Sequence, residues 1–297
     1  MIRSLLVRGM LVGLAAGLLA FPVAYALGEP PLQAAIDFEQ RHAAESGLPA
    51  AAEPDVVARG TQSTFGLLTA LTVMGVALGG LFALVFAWAY GRIGAISARL
   101  TAVVLALGAY LTITVVPFLK YPATPPATGT PETLGTRTGL FVAMITISLV
   151  AVIAAGRIRR ELLPRLDPWN AAIAAGASFV FLIVIAQLVL PAVNETPAGF
   201  PADVMWEFRL AALAISATFW ATIGIAFGAA AERLLTARPA PRRESIVRRG
   251  AALLPRARQE RVDPERFSPR EVPLSLVSIP AAKGLALTDA GDIDVAS

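Results

Sequence analysis

The sequence predicts an all-α fold, a polytopic membrane bundle of six transmembrane helices arranged as three hairpins. Three observations carry it. Hydrophobic residues fill 56% of 297 positions and charged residues only 15%, too little charge to cover a soluble domain of this length. Six apolar runs long enough to cross a bilayer occupy residues 5–27, 64–90, 100–116, 139–155, 171–190 and 210–231,. Lysine and arginine gather at one set of run ends, at Arg3, Arg8, Arg92, Arg99, Arg157, Arg159, Arg160 and Arg165, which puts both termini on the cytoplasmic side,.

The first run carries Gly9, Gly13 and Gly17, a small-residue stripe that lets a neighbouring helix approach closely,. A cleaved secretory signal is the rival reading, because Pro22 and Ala24-Tyr25-Ala26 follow the apolar stretch,. The stripe favours a retained helix. Residues 29–62 read as an acidic outer loop containing a short amphipathic helix over 32–44, which brings Asp37, Arg41 and His42 near one another,. The second run holds Gly75 and Gly79 as another close-packing pair, with Trp88 and Tyr90 at its edge,.

The third run ends on Val116-Pro117-Phe118-Leu119-Lys120-Tyr121-Pro122, where the proline is expected to break the helix,. Lys120 is the only lysine before residue 283, and the ordinary reading of Lys120 and Tyr121 is that they are interfacial anchors. A Pro/Thr/Gly loop then leads through Thr136-Arg137-Thr138 into the fourth run. The fifth run ends at Pro191, and the sixth follows Glu207-Phe208-Arg209.

Every odd-numbered run thus meets proline at its exit (Pro30-Pro31, Pro117, Pro191), and every even-numbered run follows a polar, basic lead. This pattern suggests three like-oriented hairpins whose outer turns share one vestibule, with Lys120, Tyr121, Asn194, Glu195 and Arg209 facing it. Glu195 is expected to pair with Lys120 or Arg209. The bundle is assigned to residues 1–235. Residues 236–297, rich in arginine, proline and alanine without periodicity, are assigned to a disordered basic cytoplasmic tail that touches anionic lipid,.

Composition also excludes function classes. With no cysteine and one histidine, the chain alone builds no disulfide, thiolate nucleophile, zinc or iron–sulfur site,. The run interiors hold no Asp, Glu, Lys or His, which removes the usual groups of an intramembrane proton relay,. Phosphate-loop, metalloprotease and hydrolase-elbow motifs are absent, so the reading is not that of an enzyme,. The net charge of +4 sits at run ends and in the tail, which argues for lipid and against nucleic acid as its counterpart,. His42 with Asp37 or Glu39 has the ligand types for weak capture of a first-row divalent ion.

Together these residues resemble the CbtA family of cobalt transporter subunits. The resemblance lies in Arg8-Gly9-Met10 with Gly28-Glu29-Pro30-Pro31, in Thr64-Phe65-Gly66-Leu67-Leu68 with the glycines of 75–82, in Val116–Pro122 with Pro125-Pro126, and in Leu190–Glu195 with Gly199–Asp203. It runs in order from Met1 to about Ala231. It implies a subunit of a cobalt uptake system feeding cobalamin synthesis in a bacterial inner membrane. Cobalt would be the transported ion with no permanently bound cofactor, and the partner a small single-span, histidine-bearing subunit of the CbtB type. About five spans are usual for that family, so the first run is a departure. A non-transporting membrane scaffold for a partner transporter is the alternative function.

Overall fold

The computed structural model describes residues 2–45, 57–126, 128–129 and 131–236. Six long apolar helices make up the bundle: α1 Ile2–Glu45, α2 Arg59–Ala89, α3 Ala98–Lys120, α4 Leu134–Leu162, α5 Pro168–Val189 and α6 Ala202–Thr236. Thr236 closes α6, and the rest of the segment assigned to a tail lies outside the described residues.

The proline rule fails in two of its three places. Helix α1 continues through Pro30-Pro31 to Glu45, so residues 32–44 are its extension and not a separate helix in a loop. The cause is a single π-helical turn over Ala24–Gly28, in which the Glu29 N–H reaches back to the Ala24 carbonyl. That wider turn shifts the hydrogen-bond register just where two prolines remove donors and crowd the preceding turn. Helix α3 does the same, with a π turn over Tyr110–Val115 immediately before Pro117. Only Pro191 follows a helix that has ended. The extension of α1 is held by its own contacts: Ala35 is fully buried, Phe38 meets Phe200 edge-on at 5.1 Å between ring centres, and Glu29 pairs with Arg59 across the first hairpin.

The pairing of helices also departs from three consecutive hairpins. Helices α1 and α2 pack along most of their length, but α4 packs chiefly on α5, while α5 and α6 do not lie along one another. Helix α6 instead packs on α1 and on the first half of α3. Two cores result. One joins α1, α2, α6 and the first half of α3 around Phe82, Phe86, Ile223 and Phe227; the other joins the end of α3 with α4 and α5 around Val116, Met144, Ile183 and Ala186. Helix α3 therefore belongs to both, and its π turn marks the crossover.

In the first core the glycine stripes meet each other. A Cβ at Gly9 or Gly13 would overlap the backbone of Gly79 or Gly75, and one at Gly17 the backbone around Leu71. Backbone thus lies directly on backbone, the arrangement for which small residues every fourth position are suited.

Candidate functional site

Most hydroxyls inside the spans are used locally. Thr72, Thr112, Thr146, Ser178, Thr218 and Thr222 each donate to the carbonyl four residues earlier in their own helix, at 2.7–2.9 Å. Ser148 crosses to α3, donating to the Thr112 carbonyl at 2.5 Å within the π turn. Polar atoms of consequence are concentrated instead where the loops after α3 and α5 approach the start of α6.

Lys120 and Tyr121 act together at this end. Pro191 has no N–H, so the Gln187 carbonyl four residues earlier lacks its helical donor. Lys120 Nζ donates to that carbonyl at 2.6 Å, and the Tyr121 hydroxyl donates to the Pro191 carbonyl at 2.8 Å. The Gln187 side chain returns a bond of 3.3 Å to the Val116 carbonyl. A cation at a helix C-terminus also opposes the negative end of its dipole. These contacts tie the end of α3 to the end of α5, and burial pushes the Tyr121 hydroxyl above its ordinary pKa, so it stays a neutral donor.

Beside this clasp is a cavity of about 710 Å³. Its walls come from the end of α3 (Thr114, Phe118) and the adjoining Tyr121, the start of α4 (Leu134, Arg137, Phe141), the 193–196 segment, α6, and residues 122–126, Thr128 and Gly129. Arg209, Ala212 and Ser216 contribute one face of α6, so the cavity follows that helix for about 10 Å at 1.5 Å per residue,. Arg209 reaches it because α6 begins at Ala202; the Glu207–Arg209 segment is helix and not a lead into one.

Of the residues expected to share a vestibule, Tyr121, Asn194, Glu195 and Arg209 line this cavity. Lys120 is not among its lining residues and is bonded to Gln187. Among the described residues Glu195 pairs with Arg137, whose Nε lies 3.6 Å from the carboxylate, and not with Lys120 or Arg209, and Thr133 Oγ1 donates to the same carboxylate at 2.7 Å. Arg137 was the residue sequence reasoning did not select. Gly129 lies against the Arg137 guanidinium, where a Cβ would overlap it as the side chain now stands. Arg209 keeps a buried Nε with no hydrogen-bond acceptor among the described residues.

Asp37, Glu39 and His42 are exposed on the extension of α1. Asp37 accepts from Gln33 at 2.8 Å, and His42 stacks on Phe38 with ring centres 5.8 Å apart. Among the described residues no group of three or more His, Asp or Glu side chains is arranged to hold a metal ion.

A family model described as probable cobalt transporter subunit, CbtA, matches residues 2–232. The chain belongs to the CbtA family. Membership spans the whole six-helix bundle, including α1, and makes the protein a membrane transporter subunit, a description that implies a partner. No curated protein sequence and no solved structure matches it.

Proposed function

We propose that this chain is the membrane subunit of a cobalt uptake system that feeds cobalamin synthesis, with the cavity along α6 as the point where its cargo enters. The observation that carries this reading is the family match over an apolar bundle in which a large cavity carries Arg137, Arg209, Asn194 and Glu195 in its wall. The bundle sits in a bacterial inner membrane with both termini in the cytoplasm, consistent with the arginines at 3, 8, 92, 99 and 157–165,. The partner is a small single-span subunit of the CbtB type. Its histidines supply imidazole that this chain, with His42 alone, cannot provide in number,. Asp37, Glu39 and His42 offer a weak first contact for the ion.

The second reading is a non-transporting scaffold for a partner transporter. It is favoured by the hydroxyls turned onto their own helices and by the lack of a three-ligand metal group among the described residues. Reconstitution separates the two. Liposomes holding the chain with its histidine-bearing partner are expected to take up cobalt, and liposomes holding either subunit alone much less. Equal flux with the partner alone would leave the chain a scaffold. In a cobalamin-synthesising host, deletion of the gene should lower cobalt accumulation at nanomolar supply; unchanged accumulation would contradict the uptake role.

A further inference from the structure

The cavity carries a charge that a bare cation does not match. Its charged lining residues among those described are Arg137, Arg209 and Glu195, a formal balance of +1. Glu195 is engaged by Arg137 and Thr133. Arg209 lines the cavity with no ionic partner among the described residues, and its Nε is shielded from solvent with no described acceptor, as is the Nε of Arg137. An anion seated on Arg209 would complete its hydrogen bonding and offset the surplus charge that opposes a divalent ion arriving alone.

We infer that the cavity is a binding site for an organic carboxylate, with one carboxylate group seated on Arg209 and the carbon frame among Phe118, Phe141 and Ala212. The planar fork of Arg matches a carboxylate through two parallel hydrogen bonds. A single negative charge balances the site, whereas a phosphate dianion would overshoot it. The apolar share of the wall favours a ligand with a carbon skeleton, and the volume of about 710 Å³ lies within the range of roughly 300–1,000 Å³ typical of small-molecule pockets,. The carboxylate can come from a metal-free acid or from an acid already carrying the metal as a monoanionic complex. The site does not depend on the uptake reading: carboxylate binding can fail while cobalt transport stands, and the reverse.

Calorimetric titration of the full chain in detergent micelles tests it with four probes: benzoate, the equimolar cobalt–citrate complex, cobalt chloride and inorganic phosphate. Benzoate, cobalt–citrate or both should bind the native chain, and Arg209→Gln should weaken that binding about tenfold or more, as expected for removing the cationic partner of a hydrogen-bonded charge pair. Benzoate binding identifies a metal-free acid as a source, and cobalt–citrate binding without benzoate identifies the metal-bearing one. Ala212→Phe, which fills the cavity and keeps Arg209, should abolish the same binding and covers the case in which Arg209→Gln does not fold. The inference is overturned if neither carboxylate binds, if the substitutions leave binding unchanged, or if phosphate binds as tightly as the carboxylates.

Discussion

Along α1 and α2 backbone rests on backbone, whereas around the cavity side chains reach for carbonyls that proline or a π turn has left without donors. Gly9, Gly13 and Gly17 against Gly75, Gly79 and Leu71 leave no room for even a methyl group. At the other site Lys120, Ser148 and Gln187 are each bonded to a main-chain carbonyl of a different helix, and Tyr121 to the Pro191 carbonyl just beyond α5. In lipid, where the hydrophobic effect does not draw helices together, these are the two available materials: close van der Waals packing and interhelical hydrogen bonds. The first tolerates no change in volume. The second leaves space beside it, and that space is the cavity.

The sharpest way to break this contrast is to build a valine into both regions. Gly13→Val should destabilise the bundle by about 3 kcal/mol, the upper end for overpacking, while Ala212→Val, facing the cavity, should shift stability by less than about 0.5 kcal/mol. Thermal unfolding in detergent reads both; equal losses would erase the distinction. Next in size, Lys120→Met strands the Gln187 carbonyl and should cost about 1–3 kcal/mol, with Lys120→Arg recovering most of it. Ser148→Ala removes one interhelical bond and should cost about 0.6 kcal/mol, the average for such bonds in a membrane.

The smallest effect concerns the start of α5, away from both regions. Asp167 caps that helix by accepting from the backbone N–H groups of Asn170 and Trp169, at 3.2 and 3.1 Å. The Asn170 backbone bond is the main cause that holds its carboxyl below the usual pKa. A depressed carboxylate stabilises the fold above its unfolded pKa and loses that contribution as pH falls through the folded value. Melting followed from neutral pH down into the acid range should therefore show a slight decline that Asp167→Asn removes, because an asparagine cap does not titrate.

What could be read in the sequence follows the range of the signal. Glycines four residues apart are a local pattern, and both stripes serve the close approach they suggested. Prolines misled at Pro30-Pro31 and Pro117, because the π turn that accommodates each has no hydrophobic periodicity of its own to betray it. Lys120 was legible as a residue at a membrane edge but not as the donor to Gln187, since that need arises from Pro191, some seventy residues later in the chain. Glu195 lines the expected cavity, but its ionic partner among the described residues is Arg137, whose guanidinium lies against Gly129 of the preceding loop, a long-range contact that no local pattern announces.

We propose that the cavity along α6, and not the glycine-packed core, is where this transporter subunit handles its cargo. The most direct measurement is radiolabelled cobalt uptake at nanomolar supply by cells carrying the full chain and its partner, comparing the native protein with Ala212→Phe at matched membrane levels and melting temperature. Uptake should fall to that of cells lacking the gene when the cavity is filled. Native uptake by the filled variant would contradict the account.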